Sequence, residues 1–155
     1  MGLGNNNISN FFNMFEMDYD KLNGCSFKLY MKESILTFLN NECKQTAFDV
    51  YNTFLDCYRI KGNDNNSFID LLDILKGYEE NAATLLDKQR DHYVHSVNVF
   101  ILGIYIYEQN TQYRAAFEKF YLKDDNSRKH SQGIEEFFFQ WGIAALFHDI
   151  GYPVE

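Results

Sequence analysis

Residues 137–155 read FFFQWGIAALFHDIGYPVE, and this closing stretch organises the rest of the chain. It begins as a strongly apolar run with the composition of a helix and ends on two polar side chains, His148 and Asp149. Gly151 and Pro153 follow, as is typical of a helix end. Polar groups at the end of an apolar run are costly unless they are paired, and neighbouring imidazole and carboxylate groups are common ligands of a divalent metal ion.

One face of the predicted final helix leads to the histidine. Phe137, Trp141, Ala144 and His148 recur at steps of four, three and four, which is helical spacing. Asp149 lies about 100° further round, so both polar side chains can converge on one ion. The alternative is a helix end at which His148 and Asp149 simply face water.

The composition predicts an all-α domain. The chain has 155 residues, 46% of them hydrophobic, with 15 Phe, 11 Tyr and a single proline. This length suits one domain with a real core, and one proline leaves helices uninterrupted along nearly the whole chain. Small residues near the end of the last helix allow a second helix to approach it closely: Gly142, Ala144 and Ala145.

The charge and cysteine content narrow the class of protein. A net charge of −8 argues against nucleic acid and anionic membranes as partners. The apolar run at residues 97–107 is too short to span a bilayer. Three widely spaced cysteines without a CxxC pair indicate reduced thiols, and the asparagine-rich start is not a secretory leader. These features together predict a cytoplasmic protein.

Apolar spacing divides the chain into two regions. Residues 1–24 are predicted to form an amphipathic N-terminal arm, partly disordered, that packs on the body or on another subunit. Residues 25–155 are predicted to form a single helical domain. Its helices are expected near residues 26–40, 44–60, 67–75, 81–107 and 109–122, before a charged loop at 123–131 that contains His130 and precedes the final helix.

A pair of histidines lies on the helix predicted at residues 81–107. His92 and His95 are three residues apart on one face, and His95 continues a stripe of Val99, Leu102 and Ile106 that we predict to face the core. A histidine on an apolar face is often a hydrogen-bonded core residue, and that alternative stays open. Apart from the final helix, no other predicted helix carries a histidine into an apolar run.

Two short strings resemble the HD superfamily of metal-dependent phosphohydrolases. His95-Ser96, with Val99 three residues further on, lies on one helix, and ALFHDIG at residues 145–151 ends another. Members of that superfamily are all-helical, with a histidine on an early core helix and a His-Asp doublet at the end of a later one. The resemblance therefore implies an HD-domain-like helical bundle, with residues 87–155 as a partial HD-like core.

The resemblance also implies a site and a reaction. Its metal ligands are His95, His148 and Asp149, with Asp149 as the catalytic residue, placed to bridge two ions where two bind. The ion is divalent (Mn, Fe, Mg, Ni or Zn), and the substrate is a nucleotide or another phosphate ester. His92 competes as the first ligand, but the HS-x-x-V context and the apolar stripe favour His95. Arg90 either reaches a phosphate or lies on the surface.

Two departures from the family pattern qualify these expectations. His95 and His148 are 53 residues apart, which suggests an insertion at residues 109–131. The sequence stops six residues after Asp149, so the helices that carry a closing aspartate and further histidines in that family are missing. We expect either a truncated N-terminal portion, with weak metal binding and little or no turnover, or a site that another chain completes, and we favour truncation. The Gly-Tyr-Pro after Ile150 is a coincidental match to a cyclic-dinucleotide phosphodiesterase motif.

An alternative function is a non-catalytic helical module for protein interaction or ligand sensing, with a degenerate HD site. The high aromatic content favours association. Without closing helices, the apolar faces around residues 137–147 are expected to be exposed, and this predicts a homo-oligomer.

Overall fold

The all-α prediction is confirmed. A computed structural model describes residues 2–15, 26–60, 92–121 and 130–149, together with Ile74 and Gly77. Within these residues the chain forms six α-helices and no strand. They are α1 (Gly2–Asn13), α2 (Phe27–Asn40), α3 (Lys44–Cys57), α4 (His92–Gln109), α5 (Thr111–Tyr121) and α6 (His130–Phe147).

The helix ends follow local chemistry. The Ser26 hydroxyl accepts a hydrogen bond from the Leu29 amide at 3.3 Å and so caps the first turn of α2. The prediction that His130 lies in a loop is wrong, because α6 begins at that residue and is longer than its apolar stretch suggested. The start of the helix predicted at residues 81–107 and the capping box predicted at 67–70 lie outside the described residues.

An aromatic cluster forms the core around Phe138 of α6, whose side chain is fully buried. Its ring contacts aromatic rings from four other helices and from the segments that flank them, with centroid separations of 5.3 to 6.4 Å. Edge-on and tilted contacts of this kind stabilise aromatic cores beyond the area that they bury. The partners are Phe11, Phe12, Phe15, Phe27, Phe54, Tyr58 and Phe100.

The predicted N-terminal arm contains α1, which packs on the body of the domain. Ile8, Phe11, Phe12 and Phe15 are almost completely buried, and Phe11 contacts both Phe137 and Phe138. The expected exposure of the apolar residues around 137–147 is therefore wrong for most of that face. Phe137, Phe138, Ala145 and Leu146 are at most 3% exposed, since this chain's own helices cover them.

Glycines allow α6 to lie close to its neighbours, as the small residues in its sequence predicted. A Cβ atom at Gly142 would be 2.2 Å from the Phe54 ring of α3. A Cβ atom at Gly103 of α4 would be 2.0 Å from the Trp141 indole, which instead donates a hydrogen bond to the Phe100 carbonyl at 2.9 Å. Helices α4 and α6 therefore pack antiparallel at short range.

The prediction that the stripe from His95 to Ile106 of α4 faces the core is wrong. The helix buries Val97, Phe100, Ile104 and Tyr107, but the stripe that begins at His95 faces outward. Leu102 is 55% exposed and Ile106 is 45% exposed. Because α4 is apolar nearly all round, its sequence cannot distinguish the two faces.

Two further expectations concern the surface and the thiols. No described helix has both the length and the apolar character needed to cross a membrane. Among the described residues, Cys43 and Cys57 do not form a disulfide, and Cys25 lies outside the described residues. The Cys43 sulfur lies 3.4 Å from the Thr46 hydroxyl at the start of α3, and the hydrogen bonds from Thr46 lower the pKa of that thiol.

Candidate metal centre

The candidate site lies where the end of α6 meets the first turns of α4. Helix α6 ends at Phe147, and His148 and Asp149 form the turn that follows. His92 is the first described residue of α4, and His95 lies one turn further along. Because α4 and α6 pack antiparallel, residues separated by more than fifty positions in the sequence become neighbours.

The structure brings together all three residues predicted as metal ligands. One ligand atom each from His95, His148 and Asp149 lies within 4.8 Å of the other two. The imidazole rings of His95 and His148 have centroids 5.7 Å apart and planes at 61°. Two ligands of one tetrahedral ion are about 3.4 Å apart, so the three ligand atoms must move closer together to share an ion.

Local hydrogen bonding determines which nitrogen of His148 is available to a ligand. Its Nδ1 atom lies 2.8 Å from the Ala145 carbonyl oxygen, one turn back along α6. A carbonyl can only accept, so Nδ1 carries the proton and donates. In the neutral ring, Nε2 then has a free lone pair, as metal-binding histidines require.

That lone pair faces a carboxylate. The His148 Nε2 atom is 3.1 Å from Oδ1 of Asp149. Two acceptor atoms at this distance repel each other unless a proton or a cation lies between them. Two ligand atoms that are each about 2.0–2.2 Å from one ion can be separated by such a distance. The donor set therefore fits a divalent ion.

The site is open to solvent, contrary to the buried location predicted for His95. His95 is exposed, the His148 side chain is 37% exposed and that of Asp149 is 15% exposed. The cost of burial is therefore not a reason to expect a metal, and the geometry of the ligand atoms is the stronger argument. An open site also leaves room for water and for a charged substrate.

His92, the competing candidate for the first ligand, also lies at the site. Its Nδ1 atom is 3.5 Å from Oδ2 of Asp149, the oxygen that does not face His148. It is not a member of the three-residue group that shares the 4.8 Å distance. The structure therefore places His92 next to one ligand and favours His95 in the ligand group.

Tyr51 of α3 contacts both helix ends at the site, and no sequence pattern indicated these contacts. Its buried hydroxyl donates a hydrogen bond to the Leu146 carbonyl at 2.6 Å, satisfying one of the carbonyls left open at the end of α6. Its ring contacts Tyr93 of α4 and Phe147 of α6 edge-on. Tyr51 therefore connects the two helix ends that carry the ligands, but it lies 95 residues from Leu146, so no local pattern reports it.

Only one of the remaining candidates, His130, falls within the described residues. Arg90, Gly151 and Pro153 fall outside the described residues, and His130 is at the opposite end of α6 from His148. Comparison of the chain with protein-family models, with curated proteins and with solved structures finds no match. A functional proposal therefore depends on this site and on the short strings that resemble the HD superfamily.

Proposed function

We propose that His95, His148 and Asp149 hold a divalent metal ion and that the chain is a metal-dependent phosphohydrolase of the HD type. One observation carries the proposal. Ligand atoms of three residues, from two helices and separated by up to 54 positions, lie within 4.8 Å of one another. The same three residues occupy the positions of the HD superfamily's histidine and His-Asp doublet.

The donor set limits which metal suits the site. Two imidazole nitrogens and one carboxylate oxygen are typical ligands of Zn, Fe, Ni and Mn, whereas Mg prefers oxygen alone. The hydrogen bond from His148 to the Ala145 carbonyl orients that ring and makes its other nitrogen a better ligand. We therefore expect a transition metal in preference to Mg.

The proposed substrate is a phosphate ester, with nucleotides as one class. A bound divalent ion supplies an activated water and neutralises charge on the phosphate oxygens. Asp149 is the proposed catalytic residue, and its side chain is the least exposed of the three proposed ligands. The more exposed imidazoles of His95 and His148 leave the outer side open to a phosphate.

We expect this chain to bind metal weakly and to turn over slowly. The described residues supply three ligand groups to the cluster, one carboxylate fewer than the HD pattern implies. A cluster with one carboxylate fewer, as the described residues form it, attracts a cation less strongly and holds it less rigidly. Catalytic sites with three protein ligands do exist, so slow hydrolysis is the most that we expect of this chain.

Metal titration and hydrolysis assays test the proposal together. Calorimetric titration with Mn²⁺, Co²⁺, Ni²⁺ and Zn²⁺ should give one site in the wild type and none in His148→Ala. His130→Ala is the matched control, because it removes a histidine about 27 Å away at the other end of α6. Any metal-dependent cleavage of p-nitrophenyl phosphate or its diester should be slow and should be lost in His148→Ala. Equal metal binding by the wild type and by His148→Ala would contradict the proposed metal site.

Exposed apolar residues favour the alternative, an interaction or sensing module. Phe120 of α5 is 78% exposed, and Leu102 and Ile106 of α4 are about half exposed. Such residues are common at association surfaces when they lie together. Association into a homo-oligomer therefore remains a proposal, now based on these residues and not on α6. Metal binding without hydrolysis, together with a dimeric mass by light scattering, would favour this alternative.

A further inference from the structure

His92 lies beside the proposed metal centre without belonging to its ligand group. Its Nδ1 atom is 3.5 Å from Oδ2 of Asp149, while Oδ1 of the same carboxylate is 3.1 Å from Nε2 of His148. The two oxygens of one carboxylate are therefore divided between two histidines from two helices. His92 therefore faces the carboxylate oxygen that is not the partner of His148.

Because His148 and His92 contact different oxygens of Asp149, the two histidines can have different roles. A carboxylate ligand can rotate about its last side-chain bond, and rotation removes Oδ1 from the position facing His148. A donor on Oδ2 opposes that rotation. Partners that hydrogen-bond to a ligating carboxylate orient it, and losing such a partner typically lowers metal affinity about 10–100-fold.

The geometry favours this indirect role over direct ligation by His92. The ligand atoms of His95, His148 and Asp149 share a common distance limit of 4.8 Å, and His92 is outside that group. The separation of 3.5 Å between His92 and Asp149 is long for an N–H···O hydrogen bond. Hydrogen bonds at functional sites are often long in the empty site and tighten on binding.

We propose that His92 is a positioning residue that donates its Nδ1–H to Oδ2 of Asp149 and so holds Oδ1 toward the ion shared with His95 and His148. The role rests on the proposed metal site. It assigns the first described residue of α4 a function distinct from that of His95, one turn away. It also explains why two histidines three positions apart are useful at one site when only one of them is a ligand.

Cobalt binding by two His92 variants tests this role. His92→Ala removes the donor, whereas His92→Asn keeps an N–H group near the position of Nδ1. We expect Co²⁺ affinity, measured by calorimetry, to fall about 10–100-fold in His92→Ala. It should recover to within about threefold of wild type in His92→Asn. His130→Ala, at the far end of α6, should bind like wild type.

The proton NMR spectrum of the cobalt-loaded protein separates positioning from ligation. Ring N–H protons of histidines bound to Co²⁺ shift far outside the normal range, so each protonated histidine ligand is counted directly. We expect the same two signals, from His95 and His148, in wild type and in His92→Ala at saturating Co²⁺. A third signal that disappears in His92→Ala would make His92 a ligand and overturn the positioning role.

The remaining outcomes are also decisive. Affinity in His92→Ala within twofold of wild type would overturn the role of His92 while leaving the metal site intact. Equally weak binding by His92→Asn and His92→Ala would show that the N–H donor is not the cause. Absence of Co²⁺ binding by wild type would overturn both the metal site and the role that rests on it. Unchanged circular dichroism confirms that each variant folds.

Discussion

The two ends of the α4–α6 pair differ in residue type and in exposure. At one end the Tyr107 and Phe137 rings stack with centroids 4.0 Å apart, and both residues are buried. At the other end His95 and His148 are exposed, and Asp149 lies between His148 and His92. The same two helices therefore carry a dry aromatic end and a solvated polar end.

Electrostatics follow the same division. The buried Tyr107 hydroxyl contacts Glu118 of α5 at 3.4 Å, and burial together with that carboxylate raises the pKa of the phenol well above its usual value. The polar end has open access to water, where a charged ligand can arrive. The contrast teaches that stability and binding occupy different ends of one helix pair, so substitutions should separate them.

The largest expected effect is on stability at the aromatic end. Phe138→Ala removes the ring at the centre of the core and should lower the free energy of unfolding by about 3–5 kcal/mol. Urea denaturation followed by circular dichroism measures this change. A loss below about 1 kcal/mol would contradict the central place of Phe138. The exposed Phe120, changed to Ala, is the matched control and should change stability by less than about 0.5 kcal/mol.

The next effect is on binding at the polar end. Asp149→Ala removes the carboxylate ligand, and we expect metal affinity to fall at least about 100-fold. Its free energy of unfolding without metal should change by less than about 1 kcal/mol, because the site is solvated. Calorimetric titration and urea denaturation of one preparation give both numbers. Large destabilisation with unchanged affinity would reverse the assignment of the two ends.

How far these regions could be predicted from the sequence depends on the distance between the residues concerned. The spacing of apolar residues over 4 to 18 positions predicted the helices. The stretch that leads to His148 and Asp149 predicted the two site residues that are neighbours in the sequence. The stripe from His95 was wrongly predicted to face the core, because α4 is apolar nearly all round and the spacing of its apolar residues does not identify the buried face. The contact of His92 with Asp149 joins residues 57 positions apart, and only the packed structure supplies it.

The N-terminal arm shows the same limit. Its helical spacing was visible, but its partner was not, because Phe11 contacts Phe137 and Phe138 at the other end of the chain. The prediction that α6 has an exposed apolar face was therefore wrong, because it did not include the residues of α1 that cover that face. Pairing between distant aromatic residues depends on tertiary packing and leaves no local pattern.

Close helix packing should give an intermediate effect on stability. Gly103→Ala places a methyl group 2.0 Å from the present position of the Trp141 indole, so we expect a loss of about 1–2 kcal/mol after allowing for alanine's better helix propensity. Gly77→Ala is the matched control. A Cβ atom there meets nothing within 4 Å, so this helical substitution should be neutral or stabilising by up to about 1 kcal/mol. Equal effects of the two changes would contradict close α4–α6 packing.

The smallest expected effect is at Tyr51, which contacts both α4 and α6 at the polar end. Tyr51→Phe removes the hydroxyl that donates to the Leu146 carbonyl and should cost about 1 kcal/mol of stability, with a few-fold loss of metal affinity. The aromatic contacts of the ring are retained. The exposed Tyr113, changed to Phe, should alter neither property. Denaturation and cobalt titration measure both, and unchanged affinity in Tyr51→Phe would remove Tyr51 from the support of the site.

Metal content of the purified protein, by elemental analysis beside a His148→Ala control, tests the central claim most directly. The wild type and the variants are dialysed to equilibrium against buffer with a fixed, saturating concentration of free Zn²⁺ or Mn²⁺, so that a weakly held ion is still counted. We predict one transition-metal ion per chain at saturation, absent from the His148→Ala variant and retained by His130→Ala. No metal in the wild type, or equal amounts in the wild type and His148→Ala, would contradict a metal centre formed by His95, His148 and Asp149.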